Sequence, residues 1–426
     1  MKMKKNSILI GYAALSITVA ALFSSSSAVV GWCIILLSFL LCAETRKHRE
    51  LLILMLILAL VNISVGYYIG VLHGMYSPTW QRRRLLNAPV NLITLKSILV
   101  TTCILLLGMM ANMSCYLTVQ SHPNMERHSN SLIANGLIVL LCLILAMGFV
   151  KEFLLRDVGY SSVTNPIYEY SCILMVLMWF YSNKSRNVKI FVSAYTFLFL
   201  MIFLMVGDRS SVAIIATTAL LLLLPEKLSV LRLFPAGVIA LFCYNVIGLV
   251  RKHYDLTTLE IIKISLKRGF YIDTISWAYY ASTAIASLYE FVPESWRFAT
   301  GYLVNCLTGI STEYTGMADY AKNNFDWLYN EGGGIYSSFF YGMLGPVGTI
   351  LGALLLLYVL HKIFTSSSPY GTIYRTLITA LSFRWYLYGI STLYRGVLVI
   401  TTILLLLCRW FDGICEKRKL KNEQVI

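Results

Sequence analysis

Charge is scarce in this chain. Of its 426 residues only 13% are Asp, Glu, Lys or Arg, whereas 58% are hydrophobic. A soluble domain carries roughly 25% charged residues, so the composition excludes an ordinary soluble fold. The familiar site motifs are missing as well. There is no CxxC, no His/Cys metal spacing, no HExxH, no P-loop GxxxxGK[ST] and no GxSxG. Energy coupling by bound ATP and a structural or catalytic zinc therefore have no support. No DxD or DDxxD pair occurs, so no carboxylate site for a metal-bound diphosphate is visible. Acids inside the apolar runs are nearly absent, which weighs against a transporter that relays protons through them. Ten cysteines are scattered, nearly all within apolar runs. Cys306 stands alone in the longest segment between such runs, so that segment cannot close a disulfide on itself. In the membrane these cysteines read as small packing residues.

What the chain does have is apolar length. Runs of about 18 residues or more recur, each able to cross roughly 30 Å of hydrocarbon as a helix. They are solid Leu/Ile/Val blocks, not the short alternating segments of a β-barrel. The expected class is an all-α polytopic membrane protein. Its twelve predicted helices span 6–23, 28–43, 51–72, 92–116, 131–150, 168–182, 190–206, 210–224, 233–250, 340–361, 373–390 and 394–410. The apolar part of "MKMKKNSILIGYAALSITVAALF" exceeds the roughly 7–15 residues of a signal-peptide core, and is expected to be a retained first helix. No linker and no repeat of 20–50 residues divides the chain, so 1–426 reads as one integral-membrane domain.

The net charge of +15 is distributed mainly between the apolar runs, where it sets topology; it does not imply nucleic acid. "ETRKHRE" at 44–50, "NKSRNVK" at 183–189 and the tail "EKRKLK" at 416–421 fall on the side of the N-terminus, which is then cytoplasmic, as is the C-terminus. Arg82, Arg83 and Arg84 stand outside on this topology, against the charge rule. Outside too is the one long loop, 251–339, a length that tends to be functional.

By the same rule, basic residues at outer helix ends should be few. Yet Arg209, in "GDRSS", begins the eighth run; Arg251 ends the ninth; Arg268 lies early in the loop; and Arg395 stands at the outer hairpin before the last run. Each alone could be an interfacial anchor that snorkels. As a set they suit phosphate, which guanidinium binds bidentately, and a set at headgroup depth points to a lipid-linked diphosphate. Ser210 and Ser211 open a helix whose free N–H groups would favour an anion. His253 follows Arg251 closely and is a candidate base. The loop is rich in aromatics, among them Trp277, Tyr280 and Trp327. Many would belong to an interfacial belt; others would stack on sugar rings. "NEGGGIYSSFFYGMLGPVG" is a Gly-rich entry into a helix, open to three readings: close ligand approach, helix packing or a hinge.

Five stretches together resemble the Wzy-type O-antigen and oligosaccharide repeat-unit polymerases: "VGDRSSVAII", "GLVRKHYD", "LKRGFYIDTISW", "GGGIYSSFFYGMLGPVG" and "STLYRGVL". They are spread over about 200–400, and the first five helices match in hydropathy alone. The resemblance implies a bacterial inner-membrane enzyme of the metal-independent, GT-C type, with its active face periplasmic. It would join undecaprenyl-diphosphate-linked repeat units without a cofactor, alongside a chain-length regulator. Carried over by position, Arg209, Arg251, Arg268 and Arg395 would bind diphosphate. The chemistry also needs a carboxylate or imidazole to take the acceptor proton. Asp273, near Arg268 and Trp277, is favoured among the loop's acids, although it follows Arg268 by five residues where the family pattern implies a shorter gap. The competing readings are an O-antigen ligase and a flippase for lipid-linked sugar. The second would want two similar halves, which the chain lacks. If the topology is right, an export-dependent reporter fused near Asn323 is active, and a cytoplasm-dependent one is silent there.

Overall fold

The computed structural model describes residues 5–74, 89–120, 130–154, 166–182, 185–206, 208–223, 257–269, 271–324 and 333–423, with isolated positions between 237 and 246. Among the described residues all regular structure is helical, with no strand. Among the described residues seven helices are long and apolar enough to cross a membrane: Ser27–Thr45, Arg49–Val71, Pro89–Asn112, Ser131–Lys151, Arg186–Leu204, Tyr336–Phe364 and Thr392–Cys415. Three shorter apolar helices, Ile8–Phe23, Ile167–Tyr181 and Arg209–Leu223, lie on further predicted runs. The ninth run, 233–250, falls almost wholly outside the described residues. The eleventh, 373–390, is not one helix: it breaks at Leu381 into Pro369–Ala380 and Ser382–Leu387.

The chain packs as two compact units, each assembled from separate stretches. The first comprises Met1–Pro123, Val230–Ser367 and Ser382–Thr392. Its helices are α1 (Lys5–Phe23), α2 (Ser27–Thr45), α3 (Arg49–Ser64, prolonged by a π-helical segment Val65–Val71) and α4 (Pro89–Gln120). The second comprises Asn124–Ser229, Ser368–Leu381 and Leu393–Ile426. It begins with α5 (Ser131–Gly148, continued by the π-helical Phe149–Leu154), α6 (Pro166–Tyr181), α7 (Arg186–Val206) and α8 (Arg209–Leu223). The first unit resumes with α9 (Thr258–Arg268), α10 (Asp273–Phe291), α11 (Arg297–Thr308), α12 (Met317–Asn324) and α13 (Tyr336–Phe364). After α14 (Pro369–Ala380, second unit) and α15 (Ser382–Leu387, first unit), the chain ends on the π-helical Thr392–Ile400 and α16 (Thr401–Glu423).

In the first unit α4 is central, packed against α1, α2, α10 and α13. One face of α4 is polar yet buried. Asn91 accepts from the Tyr279 hydroxyl (2.5 Å), Ser97 meets Ser337 (3.1 Å), and Thr102 accepts from Asn62 (3.0 Å), whose own carbonyl takes the Tyr386 hydroxyl (2.7 Å). Hydrocarbon gives a polar side chain no partner, so these groups find each other across helices, at about 0.6 kcal/mol per contact. The sequence shows only Asn, Ser and Thr inside apolar runs. Which helix each one reaches is a tertiary fact.

Helix α13 is not the straight span expected over 340–361. At Leu344 (φ −138°, ψ 16°) and Gly345 (φ 61°, ψ −145°) the backbone leaves the helix. Gly345 takes a left-handed φ that favours glycine, and Pro346 resumes the helix without needing an amide partner. Residues 336–343 then fold back along residues 346–364. The Tyr336 hydroxyl donates to the Gly352 carbonyl at 3.0 Å; in an unbroken helix those residues would stand roughly 24 Å apart. Gly348 and Gly352 pave the contact. A Cβ on Gly348 would strike the Phe340 carbonyl, and one on Gly352 would strike the Phe340 ring. Ser295 donates to the Met343 carbonyl (3.0 Å), which the break would otherwise leave open. The membrane-length part of α13 is thus 346–364, and of the three readings open for the Gly-rich stretch 330–348, packing is the one realised at Gly342 and Gly348.

The long loop is partly helical where described. It is not, however, only a cover. Every residue of α10 from Ala278 to Leu288 is buried, and Ala286 packs with Val90 of α4 and Tyr341 of α13. Gly348→Ala should therefore destabilise the detergent-solubilised protein by about 1–3 kcal/mol, the usual cost of overpacking. Gly136→Ala on α5, where a Cβ meets nothing within 4 Å, should be neutral or stabilising by up to about 1 kcal/mol. Thermal unfolding of the two variants side by side checks the contrast.

Candidate functional site

In the first unit the junction of α9 and α10 gathers three of the expected residues. Helix α9 opens on a capping box. The Thr257 hydroxyl accepts from the Glu260 amide (3.4 Å), and Glu260 accepts from the Thr257 amide (2.8 Å) and hydroxyl (2.7 Å). The bonds from Thr257, hydroxyl first, hold the exposed Glu260 carboxyl below its ordinary pKa. Its support for α9 is present above the unfolded carboxylate pKa and is lost as pH falls through the lowered folded value. The helix is amphipathic. Ile261 and Ser265 are buried, while Leu259 and Leu266 are exposed beside Lys263 and Lys267. Apolar and basic residues exposed together suit a helix lying in a membrane interface.

Gly269, at φ 58°, ends α9. The Tyr68 hydroxyl donates to the Arg268 carbonyl at 3.0 Å, and the Tyr68 ring meets Tyr271 edge-on at 5.2 Å. The turn is thereby tied to the π-helical end of α3. It leads directly to Asp273, in the first turn of α10, where a carboxylate is favoured by the helix dipole. Arg268 Nη1 and Asp273 Oδ1 are 3.8 Å apart, with the two side chains 29% and 18% exposed. The five-residue gap in sequence is therefore spanned by the turn. Trp277 follows one helical turn after Asp273 and is half-buried. A cation, a carboxylate and an aromatic ring share one edge of the unit. Tyr280, proposed to stack on sugar, is 1% exposed and offers no open face: from Ala278 to Leu288 α10 is buried on every side, so Tyr280 packs inside although it shares a helix face with Trp277. Arg251, His253 and Trp327 lie outside the described residues.

In the second unit the head of α8 corrects one expectation. Asp208 bonds back to the Phe203 carbonyl (2.9 Å) and caps α8. Its Oδ1 accepts from the Ser211 amide (3.2 Å) and its Oδ2 from the Ser211 hydroxyl (2.6 Å). The Ser211 N–H expected to await an external anion is already taken by the chain's own carboxylate. Arg209, half-buried, occupies the first helical position.

Sequence reasoning missed Glu169. It is 3% exposed in the first turn of α6 and accepts from the Ser210 hydroxyl at 3.2 Å, while Asp208 Oδ1 lies 3.1 Å from the same hydroxyl. One serine proton thus faces two carboxylates. The available signal was that Glu169 is the sole charge in "PIYEYSCILMVLMWFY". Arg395 is half-buried in the π-helical Thr392–Ile400. The next residue, Gly396, abuts the Tyr170 ring, where a Cβ would be 2.8 Å away. The Arg395 segment therefore packs on the same turn of α6 that carries Glu169.

No family model, no curated protein and no solved structure matches this chain.

The arginines offer forked donors; Asp273 is a carboxylate beside one of them. The capping role of Asp208 is separable from any binding role. Asp208→Ala should cost about 0.5–2 kcal/mol, whereas Asp208→Asn, which keeps an acceptor for the Ser211 amide, should cost far less. Thermal unfolding of the pair measures the difference.

Proposed function

We propose that this protein polymerises lipid-diphosphate-linked oligosaccharide repeat units at the outer face of a bacterial inner membrane, as a metal-independent glycosyltransferase. The observation that carries the reading is the side-by-side placement of Arg268 and Asp273 at the head of α10. In the proposed step a hydroxyl of the incoming repeat attacks the anomeric carbon of the growing polymer. The new glycosidic bond forms as the bond to the lipid diphosphate breaks. Arg268 stabilises the charge that develops on the departing diphosphate, and Asp273 takes the proton from the attacking hydroxyl. Before substrate arrives, each neutralises the other. Trp277 supplies a ring against which a sugar can stack. Arg209, Arg251 and Arg395 serve in this reading as further phosphate ligands, and a chain-length regulator is the expected partner.

The five sequence stretches support the polymerase over other enzymes that use the same donor. A ligase would pass the glycan to lipid A core, and a flippase would carry it across without a bond-forming step. Deleting the gene and resolving surface glycans by gel separates the three: one repeat on the core for a polymerase, none for a ligase, repeats stranded inside for a flippase. For the mechanism, Arg268→Ala, Arg268→Lys and Asp273→Asn should each slow chain growth by about 10²–10³, taking loss of an oxyanion-stabilising donor as the guide. Lysine should not rescue, because it lacks the fork. The assay is purified enzyme with lipid-linked repeats, in chelator, at matched protein levels. Long polymer from Arg268→Ala would remove Arg268 from the mechanism, and activity only with added magnesium or manganese would overturn the metal-independent step.

A further inference from the structure

Around the axis of α9 the side chains fall into three sectors, at roughly 100° per residue. Ile261 and Ser265 are buried against the first unit, at 4% and 2% exposure. Leu259, Ile262 and Leu266 form an exposed apolar sector about 60° wide, at 68%, 36% and 67%. Lys263 and Lys267, both exposed, follow on the far side of it. The one acid of the helix is Glu260, whose carboxylate already accepts from the Thr257 amide and hydroxyl. The 11 residues of α9 reach about 16 Å, half the hydrocarbon of a bilayer, so α9 does not cross one.

The end of α9 is level with the end of a membrane-length helix. Its last residue, Arg268, takes the Tyr68 hydroxyl on its carbonyl at 3.0 Å, and Tyr68 stands three residues from the end of the helix Arg49–Val71. An aromatic cluster occupies the same place. Tyr68 meets Tyr67 at 5.1 Å, and Tyr67 meets Trp32 of α2 at 6.3 Å. Tyr67 and Trp32 are 37% and 55% exposed, and exposed Trp and Tyr near the ends of spanning helices mark the border between hydrocarbon and headgroups. A solvated α9 would hold Leu259 and Leu266 in water beside that border. An α9 lying in the border buries both, and its lysines, next round the helix, reach the headgroups. Two cations at that depth distinguish anionic headgroups from neutral ones.

We infer that α9 is an in-plane recognition helix for anionic phospholipid. Leu259, Ile262 and Leu266 enter the acyl region, and Lys263 and Lys267 engage the acidic headgroups above it. The partner is the leaflet itself, because Tyr68 holds α9 at its border. An acidic segment of another protein would match the lysines but not the exposed apolar sector that lies between them and the protein. The inference requires that the chain spans a membrane and is independent of the polymerase reading. It gives lipid composition a hold on the turn that follows: the Gly269 turn that sets Arg268 3.8 Å from Asp273 is steadier when the helix before it is seated.

The test is hydrogen–deuterium exchange of the full-length protein in two kinds of nanodisc, one of phosphatidylcholine alone and one with a third of it replaced by phosphatidylglycerol. Amides of residues 259–268 should exchange about fivefold more slowly with phosphatidylglycerol, taking the attraction of one lysine to an anionic surface as the guide. The difference should vanish at about 1 M salt, which screens exposed charges. The double variant Lys263→Gln/Lys267→Gln should lose it, and Lys263→Arg/Lys267→Arg should keep it. Leu259→Ser/Leu266→Ser should exchange faster in both bilayers. All four positions are exposed, and the salt series needs no variant. Equal exchange of the wild type in the two bilayers overturns the proposal, as does a phosphatidylglycerol effect that survives high salt or the glutamine pair. Unchanged exchange in the serine pair would take α9 off the membrane. Equal slowing by poly-glutamate in phosphatidylcholine nanodiscs would assign the face to an acidic protein instead.

Discussion

The first unit depends on a fold-back held by close backbone contact. At Gly345 the chain reverses, and Gly348 and Gly352, which have no side chains of their own, let Phe340 and Tyr336 of residues 336–343 lie against residues 346–364. Dispersion at such distances substitutes for the hydrophobic effect, which does not drive helix against helix in lipid. The consequences spread outward. Gly342 brings α13 against the Ile285 carbonyl of α10, where a Cβ would be 2.5 Å away. Ser282 of α10 accepts from the Ile335 amide at 2.6 Å, at the entry to the fold-back. Helix α10 is thereby drawn into the interior along its length, and its first turn, with Asp273, is set against the end of α9. Asp273 is thus the end of a core helix and not part of a flexible cover.

Both groupings of charge solve the same electrostatic problem. An arginine near hydrocarbon is costly, by at least about 2.5–3.5 kcal/mol at the centre of a bilayer, and the chain places carboxylates close to each. Arg268 has Asp273 at 3.8 Å. Arg209 lies between Asp208 and Ser210 in sequence, in a turn where Asp208 and Glu169 both face one serine hydroxyl. A cation with a carboxylate beside it is tolerated near hydrocarbon. Asp208 does two things at once, closing the helix end and bringing negative charge to the arginine's neighbourhood.

The aromatic residues divide by burial. Tyr279, Tyr280 and Tyr386 lie inside and are spent on packing or on hydrogen bonds across helices, whereas Trp296 and Phe291 remain exposed with Leu303 and Leu307 of α11. An exposed apolar set of that size on short helices suits a membrane interface. Composition alone cannot make this division, since a tyrosine that stacks on a ligand and a tyrosine that fills a core are the same residue.

By itself the sequence determined the class of protein and the runs on which the seven membrane-length helices among the described residues lie. Runs of apolar residues of fixed length can do little in water, and 1.5 Å per residue converts length into membrane thickness. It also determined where arginines interrupt the apolar pattern, because charge is visible residue by residue. Tertiary structure alone decided the rest. That 336–364 folds back follows from a glycine φ and from the contact its neighbours make, neither of which has a period to read. That Arg268 meets Asp273 depends on a turn of positive φ at Gly269, tied down by Tyr68 some two hundred residues away. That Glu169 joins the head of α8 depends on Ser210, and the approach of α7 to α5 on Gly148 receiving Phe203. Each is a contact between residues distant in the chain, and a one-dimensional pattern records spacing, not which faces meet.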